Sequence, residues 1–513
     1  MSPSRHMTTH YLACDLGAES GRLMLGSLED GRLSLEELHR FPNGPVKSGA
    51  SLHWDIPRLF AELKTGLKEA ARRNLPIASI STDSWGLDYM LFSEDGALMG
   101  PTFHYRDGRT GQGSAVTLAK VDWKTIFEET GIQFMALNTL YQLAAESRER
   151  LQRARHLLLI GDGFNFLLSG EARAEETLAS TSQLYNPRTR TWSRRLLDAL
   201  ELPERLFPPI VPAGSRLGAL KDEIARETGL WGLAAETPGE GRRDACPTKA
   251  DGLEVIAGCS HDTGAAVVAV PACGEGWAYL SSGTWSLIGV ELTAPILTDA
   301  CRELNFTNEI GFGGSVRLLK NIVGLWLVQE CRRDWAQAGQ RYDYETLTNL
   351  AAEAQSFTSL INPADPRFVS PEDMPARIAA FCRETGQPVP ATPGATIRCV
   401  LESLALLYRS ALSQIERLVG KKIERLHIVG GGSRNALLNQ FTANALQIPV
   451  LAGPVEATAA GNILVQAITL GHLPSLAAAR AVVRASSELR RFDPSELTVW
   501  ERAFERFRSL IGS

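Results

Sequence analysis

The pattern of apolar and polar positions predicts two strand–turn–strand units that lie about half the chain apart. The first runs from the apolar segment Tyr11–Leu16 through a turn of small residues into Arg22–Leu28, and Leu33–His39 is predicted as a third strand of the same meander. The second places the turn Ser281–Thr284 between two apolar strands. Turns rich in glycine and hydroxyl groups bring backbone N–H groups close to a phosphate without interference from Cβ. Two related domains with opposed turns of this kind are therefore expected to grip a polyphosphate.

The remaining periodicity predicts strands that alternate with helices. The predicted strands are Ile77–Asp83, Leu157–Ile160, Val255–Gly258 and Arg425–Val429, and the predicted helices are Pro57–Asn74, Thr396–Val419, a helix from an Asn435 N-cap to Gln447, and Ala457–Leu470. Small residues on the last helix predict close packing on another element: Ala457, Ala460 and Gly461. Asn321 and Gln329, eight positions apart, are assigned to one further helix.

Length and charge narrow the class of protein. A chain of 513 residues is long enough for at least two domains with separate cores. A formal net charge of −5 argues against a nucleic-acid partner. No run approaches the roughly 18 apolar residues of a membrane span, and Met1–His10 has no apolar signal core. We therefore expect a cytoplasmic protein without a membrane partner, as a monomer or a small homo-oligomer.

Several common motifs are absent from the sequence. The eight cysteines form no C-x-x-C pair, which argues against a zinc or redox motif, although Cys382 and Cys399 flank a proline-rich loop and could pair if oxidised. Neither G-x-x-x-x-G-K-S/T nor a G-x-G-x-x-G that follows a strand occurs. The chain is therefore neither a P-loop enzyme nor a Rossmann protein.

Four segments, in chain order, carry a more specific resemblance. They are Asp15–Gly17, Ser281–Thr284, Gly430–Gly432 and the helix that begins at Ala457. This set is similar to the actin/hexokinase/heat-shock ATPase superfamily. Within it, the chain resembles the FGGY carbohydrate kinases from Tyr11 to about Gly471, which is nearly its full length.

Further segments are specific to that family. Tyr105–Thr110 matches its aromatic-x-D-x-R segment, Asp162–Gly170 resembles a helix that ends in a small-residue-glycine turn, and His261–Thr263 occupies the position of its catalytic aspartate. Other segments are similar to the branch that phosphorylates L-rhamnulose: Asp15–Arg22, His53–Asp55, Asp83–Asp88, Leu319–Trp326 and Asn362-Pro363 with Phe368 and Pro371. Most family members have other residues at the positions of Gly17-Ala18-Glu19 and Trp85. The residues found here resemble those of this branch.

The resemblance implies the fold and its boundaries. We expect two actin-like (ribonuclease H-like) α/β domains, each with a mixed sheet flanked by helices, and a ligand cleft between them. Residues 8–260 would form the N-terminal domain with the sugar site and the first phosphate turn. Residues 261–480 would form the C-terminal, nucleotide-binding domain with the catalytic aspartate at the boundary, and residues 481–513 a helical extension.

Asp262 is the predicted catalytic residue. A phosphoryl acceptor must lose its hydroxyl proton as the new P–O bond forms, and a carboxylate within hydrogen-bond reach can take that proton. Since the ordinary pKa of an aspartate is about 4, the transfer is expected late, in a loose transition state. The structural alternative is an aspartate that caps a helix beginning near Gly264.

ATP and Mg²⁺ are the expected cofactors. Asp15 could orient water on a magnesium ion that bridges the phosphates, and its structural alternative is a turn-forming residue. The turn residues could likewise be plain hairpin residues, and Arg22 an exposed strand residue. The residues predicted to bind the nucleotide are Ala18, Glu19, Ser20, Gly21, Arg22, Gly283, Thr284, Gln329, Gly431 and Gly432.

The sugar is expected to meet an aromatic and acidic group of residues. The predicted substrate-binding residues are Asp83, Trp85, Gly86, His261, Asp262, Thr263 and Asn321, with Trp54, Asp55 and Asp88 as further candidates for the pocket wall. Trp54 and Trp85 could equally be core aromatics. Asp107 and Arg109 are expected to form an ion pair.

The reaction implied by the resemblance is transfer of the γ-phosphoryl group of Mg-ATP to the C1 hydroxyl of L-rhamnulose, in L-rhamnose catabolism. A kinase of another ketose, such as L-fuculose or L-xylulose, remains open, since a few hydrogen bonds decide hydroxyl stereochemistry. An actin-like ATPase switch is the alternative from another class. Such a switch would hydrolyse ATP without a ketose.

Overall fold

The computed structural model describes residues 8–233, 252–371 and 373–512. The chain forms two compact units, each assembled from separate stretches. The first unit comprises the residues up to Ala269, Glu291–Arg317 and Ala457–Ser486, and the second comprises Val270–Val290, Leu318–Glu456 and the residues from Ser487 on. Within the described ranges, no helix combines the length and apolar character that crossing a membrane requires.

Strands and helices alternate along most of the chain. The strands are β1 Thr9–Leu16, β2 Ser20–Glu29, β3 Arg32–Pro42, β4 Val46–Ser48, β5 Ser51–Trp54, β6 Ile77–Ser84, β7 Tyr89–Phe92, β8 Leu98–Met99, β9 Thr102–Phe103, β10 His156–Leu159, β11 Ala174–Glu175, β12 Tyr185–Asn186, β13 Thr191–Trp192, β14 Ile210–Val211, β15 Ser215–Ala219, β16 Glu254–Ala257, β17 Trp277–Ser282, β18 Trp285–Leu292, β19 Thr307–Ile310, β20 Val316–Val323, β21 Arg425–Val429, β22 Val450–Ala452 and β23 Arg490–Phe492. The helices are α1 Ile56–Arg72, α2 Arg109–Lys120, α3 Trp123–Thr130, α4 Thr139–Ala144, α5 Arg148–Arg153, α6 Ile160–Ser169, α7 Glu176–Ala179, α8 Arg194–Ala199, α9 Asp222–Thr228, α10 Asp262–Val268, α11 Asp299–Glu303, α12 Trp326–Gln337, α13 Tyr344–Glu353, α14 Met374–Glu384, α15 Pro393–Val419, α16 Ala436–Leu446, α17 Ala457–Thr469, α18 Leu476–Ser486 and α19 Leu497–Ile511.

The first unit is built on a mixed sheet in the order β15-β16-β6-β1-β2-β3. Strand β1 pairs antiparallel with β2 and parallel with β6, which in turn pairs parallel with β16. The three parallel strands therefore end at the same edge of the sheet. Helix α1 packs on β2 and β3, and helix α17 packs on β1 and β6.

The second unit repeats this arrangement. Six strands of its seven-stranded sheet run in the order β20-β18-β17-β21-β22-β23. Strand β17 pairs antiparallel with β18 and parallel with β21, and β21 pairs parallel with β22. Each unit thus has a central antiparallel hairpin followed, on one side, by two strands parallel to the first strand of that hairpin. This confirms the predicted α/β fold with two mixed sheets flanked by helices.

Local sequence signals account for individual elements. Helix α1 buries Leu59, Leu63 and Leu67, which recur every four residues along one face. The Asp55 side chain accepts a hydrogen bond from the Arg58 N–H (3.1 Å) and is the N-cap of this helix, while its place in the sugar pocket stays a prediction. The predicted strands of the first meander and of residues 425–429 are confirmed, as is the N-cap of α16.

The structure corrects one expectation and leaves another open. Asn321 lies on strand β20 and Gln329 on helix α12, so the single helix predicted for both is wrong. Cys382 and Cys399 are buried free thiols that interact with each other. The domain boundaries expected at residues 260 and 480 remain a prediction. The compact units are not continuous in sequence, because α17 packs with α10 and β1 and so belongs to the first unit.

Close packing of α17 on α10 depends on Gly461. A Cβ atom on this residue would lie 1.8 Å from the backbone oxygen of Ala265. We therefore expect Gly461→Ala to lower the free energy of unfolding by about 1–3 kcal/mol, measured by urea denaturation. Gly111→Ala is the matched control, since it also lies in a helix but its Cβ would meet nothing within 4 Å. The control should be neutral or gain up to about 1 kcal/mol, and equal losses in both variants would contradict the packing argument.

Candidate active site

Three carboxylates meet at the edge where the parallel strands of the first unit end. Asp15 closes β1 and is the register partner of Asp83 near the end of β6. Ser84, the next residue of β6, forms a parallel bridge with His261, and helix α10 begins at Asp262. In α/β proteins ligands bind at the carboxyl ends of parallel strands. The sheet register therefore brings together three residues that are far apart in the sequence.

The environment of Asp83 and of Asp262 disfavours the charged form of each carboxylate. Burial raises the pKa of Asp83 well above its ordinary value, and the charge of Asp15 raises it further. Burial also raises the pKa of Asp262, where the neighbouring His261 opposes the shift. The Asp262 side chain nevertheless keeps 29% of its surface exposed, so a ligand can reach it. Arg22 forms an ion pair with Asp15 and offsets part of the negative charge.

Asp83 has one satisfied and one unsatisfied oxygen. The Asn462 side-chain amide of α17 donates to Oδ2 (2.6 Å), while Oδ1 is buried without a hydrogen-bond partner among the described residues. Asn462 was missed from the sequence. Its signal is a pair of amides, Asn462 and Gln466, spaced by one turn on an otherwise apolar helix, where Gln466 Nε2 donates to the Asn462 carbonyl (2.7 Å).

These carboxylates fit a magnesium ion that also binds phosphate and water better than an ion held by protein side chains alone. Among the described residues, no group of three or more histidine, cysteine, aspartate or glutamate side chains could hold a metal ion. Magnesium commonly binds one or two carboxylates and completes its shell with phosphate oxygens and water. Asp15, together with the unpartnered buried oxygen of Asp83, matches that pattern.

A buried ion pair contacts the histidine that precedes Asp262. The Nδ1 atom of His261 lies 3.1 Å from the Arg317 guanidinium and 3.4 Å from the Glu309 carboxylate. Arg317 and Glu309 are themselves 3.1 Å apart. On the other side of the ring, Nε2 lies 3.5 Å from Asp262 Oδ1. Arg317 and Glu309 were not identified from the sequence, because nothing local indicates which buried charges will meet.

Glu175 is a further residue that the sequence did not reveal. Its buried carboxylate accepts from the Ser260 N–H (3.0 Å) and the Thr177 N–H (2.9 Å). The Thr177 hydroxyl oxygen in turn accepts from the His261 N–H (3.3 Å). Burial raises the pKa of Glu175 to about 7. Through these bonds the segment before Asp262 is held by backbone hydrogen bonds rather than by its own side chains.

Asp88 organises a group of aromatic residues in the first unit. Its Oδ2 accepts from the indole N–H groups of Trp54 (2.6 Å) and Trp85 (3.0 Å) and from the Tyr105 N–H (3.2 Å). Its Oδ1 accepts from the Gln142 side-chain amide (2.8 Å). Burial raises the pKa of Asp88 to about 6. Asp88 and both tryptophans are buried, so Asp88 is the support of an aromatic cluster and not an exposed pocket wall.

Gly86 and Leu87 form a strained turn beside this cluster. The Asp88 N–H donates to the Gly86 carbonyl (3.0 Å) across Leu87, whose φ of 79° is that of the rare γ-turn. The Leu87 carbonyl accepts from the Thr139 hydroxyl (2.6 Å). A Cβ atom on Gly86 would lie 2.9 Å from the Thr181 hydroxyl oxygen. Strained backbone held by its surroundings is characteristic of ligand sites.

Arg109 does not pair with Asp107, so that expectation is wrong. Its guanidinium lies 3.1 Å from the Glu146 carboxylate and 3.6 Å from the Phe103 ring centre. Asp107 instead accepts from the backbone N–H groups of Leu52 (2.7 Å) and Arg109 (3.0 Å). Both oxygens of the Asp107 carboxylate thus accept backbone hydrogen bonds, and Arg109 pairs with Glu146, which is distant in sequence.

The first predicted phosphate turn lies between β1 and β2. Asn43 closes it by donating its side-chain amide to the Gly17 carbonyl (2.8 Å). Ala18, Glu19 and Ser20 lie in or beside the turn. Gly21 lies on β2, and a Cβ there would be 2.2 Å from the Phe41 ring, so this glycine makes room for packing.

In the second unit the corresponding turn contacts helix α12. The Gln329 side-chain amide donates to the Thr284 hydroxyl oxygen (3.2 Å), so the structure brings these two predicted nucleotide residues together. The backbone of Gly324 also donates to the Thr284 carbonyl (3.1 Å). Asn321 belongs to this unit, whereas the other predicted sugar-binding residues belong to the first.

The glycine turn after β21 packs against the same hairpin. Since β17 and β21 are parallel neighbours, their ends lie at one edge of the sheet. A Cβ on Gly432 would lie 2.1 Å from the Ser282 hydroxyl oxygen, and Gly430 has a φ of 85°. A Cβ on Gly431 would meet nothing within 4 Å, which leaves its backbone open to a flat ligand.

The family follows from comparison with known proteins. Residues 10–238 match the FGGY family of carbohydrate kinases, N-terminal domain, and residues 278–470 match its C-terminal domain. The chain belongs to the FGGY family of carbohydrate kinases.

Three proteins similar to this chain over nearly its whole length are rhamnulokinases. A rhamnulokinase from Bacteroides thetaiotaomicron is 42% identical over 98% of this chain and 100% of its own length. Rhamnulokinases from Enterococcus faecalis and Bacillus subtilis are 39% and 38% identical, over 98% and 95% of this chain and 98% and 96% of their own lengths.

Solved structures share the fold. The ligand-bound xylulose kinase from Lactobacillus acidophilus superposes with a TM-score of 0.78 at 15% identity, and covers 98% of this chain and 99% of its own. Plasmodium falciparum glycerol kinase with ADP superposes with a TM-score of 0.75 at 14% identity, and covers 98% of both chains.

Asp88→Asn tests the role of the aromatic cluster. An amide nitrogen would face N–H donors now satisfied by a carboxylate, which costs about 1–3 kcal/mol of stability. We expect the KM for the sugar to rise about tenfold or more while the KM for ATP is unchanged. Asp198→Asn, an exposed position on α8, is the control and should leave both constants unchanged. Equal sugar KM values in the two variants would show that Asp88 does not support the sugar site.

Proposed function

We propose that this chain is an ATP-dependent kinase that phosphorylates the C1 hydroxyl of L-rhamnulose, giving L-rhamnulose 1-phosphate and ADP, in L-rhamnose catabolism. The observation that carries the proposal is similarity to rhamnulokinases over at least 95% of both chains, at 38–42% identity in the three relatives described. A cytoplasmic location is proposed with it, since ATP is the phosphoryl donor.

Asp262 is proposed as the general base. Both the N–H and the hydroxyl of Thr263 donate to Asp262 Oδ1, and no hydrogen bond to Oδ2 occurs within the described residues. Oδ2 is thus the oxygen that can accept the proton from the sugar hydroxyl. The raised pKa makes Asp262 a better proton acceptor than an ordinary aspartate once the P–O bond begins to form.

The nucleotide-binding residues are proposed as the sequence predicts them. Magnesium held by Asp15 would neutralise charge on the transferring phosphoryl group. In the first unit, Arg22 and the turn residues Ala18, Glu19, Ser20 and Gly21 are assigned to phosphate. In the second unit, Gly283, Thr284 and Gln329 are assigned to phosphate, and Gly431 and Gly432 to the adenine and ribose. The bond between Thr284 and Gln329 supports the assignment of these two to one ligand.

The sugar-binding residues are proposed on the same basis. Gly86 offers backbone at a strained turn, and Trp85 belongs to the aromatic cluster supported by Asp88. Asp83, His261 and Thr263 surround the proposed base along the strand ends. Asn321 is assigned to the sugar on the resemblance alone. A ketose offers hydroxyls to the polar groups and a C–H face to an aromatic residue.

The other candidate functions have less support. A kinase for L-fuculose or L-xylulose would use the same mechanism, but the xylulose kinase structures resemble this chain at low identity and share the fold alone. An actin-like ATPase switch needs no base for an acceptor hydroxyl. The oligomeric state stays a prediction of a monomer or a small homo-oligomer.

The deciding experiment measures ADP release from Mg-ATP across a panel of ketoses. Turnover should be strongest with L-rhamnulose, and Asp262→Asn should lower kcat about 10²–10⁴-fold with little change in the KM for ATP, because only proton transfer is removed. Asp222→Asn, an exposed residue in the first turn of α9, is the control.

Each alternative outcome has a distinct meaning. Strong turnover with another ketose would keep the mechanism and reject L-rhamnulose as substrate. ATP hydrolysis that needs no sugar and survives Asp262→Asn would reject the kinase itself.

A further inference from the structure

The contact between Arg317 and His261 determines where the histidine carries its proton. A guanidinium group has only donors and stays protonated in proteins. Its Nη2 lies 3.1 Å from His261 Nδ1, so Nδ1 must be the acceptor of this hydrogen bond. A neutral histidine with an unprotonated Nδ1 carries its proton on Nε2.

Glu309 is the competing influence on the same nitrogen. Its carboxylate lies 3.4 Å from His261 Nδ1 and would favour a proton there. Arg317 is closer to Nδ1 and is also paired with Glu309 at 3.1 Å, so it offsets that charge. Its Nε–H donates to the Ile310 carbonyl (3.2 Å), which holds the guanidinium in this position.

Stability alone does not explain a buried arginine here. Arg317 is fully buried, and its Nη1 has no hydrogen-bond partner among the described residues. A buried ion pair with an unsatisfied donor contributes little or nothing to stability relative to apolar residues of similar volume. Arg317 instead contributes a directional hydrogen bond, which it donates to the ring of His261, the residue that precedes Asp262.

We infer that Arg317 is a positioning residue that holds His261 with its proton on Nε2. In this state the Nε2–H lies 3.5 Å from Asp262 Oδ1 and is a donor for the acceptor sugar, which leaves Asp262 as the proton acceptor. The part concerning the sugar rests on the proposed function. The part concerning the tautomer rests on the ligand-free protein alone.

Nitrogen NMR of the histidine side chains tests the tautomer directly. In the full-length, ligand-free protein, the His261 ring should show an unprotonated Nδ1 and a protonated Nε2, with the signals assigned by their loss in His261→Gln. Arg317→Met, which removes the donor, should move the proton to Nδ1 beside Glu309. Arg317→Lys, which keeps a cationic donor, should retain the original pattern. A protonated Nδ1 in the unmodified protein, or an unchanged pattern in Arg317→Met, would overturn the inference.

Kinetics separates positioning from a general structural role. Arg317→Met should raise the KM for the ketose about tenfold, as expected for one lost hydrogen bond, with a smaller change in kcat and none in the KM for ATP. Arg317→Lys should restore most of the ketose KM. Equal losses in both KM values and no rescue by lysine would indicate mere structural damage and reject the positioning role.

A double variant guards against misfolding. Arg317→Met alone takes a cationic partner away from the buried Glu309 carboxylate, which is destabilising. Arg317→Met combined with Glu309→Gln removes both charges, while Glu309→Gln alone keeps Arg317 in contact with His261. His261 Nδ1 should stay unprotonated in Glu309→Gln, because Arg317 still donates to it. In the double variant, the NMR pattern that depends on Arg317 should be lost. The reverse result would assign control of the tautomer to Glu309. If no ketose is phosphorylated but these NMR patterns hold, the proposed function fails and the tautomer assignment stands.

Discussion

The constraint on which the first unit depends is the parallel register of β1, β6 and β16. Strands that run in one direction end at one edge, so Asp15, Asp83 and the residues up to Asp262 converge there. Crowding carboxylates away from water disfavours their ionised forms, as the raised pKa values of Asp83 and Asp262 indicate. The fold thereby concentrates carboxylates, which are the groups that the proposed phosphoryl-transfer site would use to bind a cation and to accept a proton.

Buried polar residues from other elements hold this edge in place. Asn462 donates to Asp83 from α17, Glu175 accepts from the backbone of Ser260, and Arg317 donates to His261. None of these residues is close in sequence to the residue that it contacts. Each bond lies in a dry environment, where a hydrogen bond is strong and an unsatisfied partner is costly. The supporting residues therefore fix geometry rather than add bulk stability.

In the aromatic cluster, too, a buried polar residue fixes the geometry of its neighbours by hydrogen bonds. Asp88 is surrounded by N–H donors from Trp54, Trp85, Tyr105 and Gln142. One acidic residue thus sets the orientation of two indole rings beside the strained turn at Leu87. Asp88 acts through the tryptophans, and its burial keeps it from direct contact with solvent.

Elements that depend on neighbours along the chain could be predicted from the residues alone: the first meander, the Asn435 N-cap, the strand at 425–429 and the small face of α17. Apolar periodicity and caps operate over a few residues, so they can be recognised locally. The long-range contacts became visible in the folded chain alone: Arg109 pairs with Glu146, Asp88 supports Trp54 and Trp85, Asn321 lies on a strand, and Arg317 reaches His261. Hydrophobic pattern says which residues are buried, whereas the partner of a buried charge depends on how distant strands and helices pack, and no local signal encodes that choice.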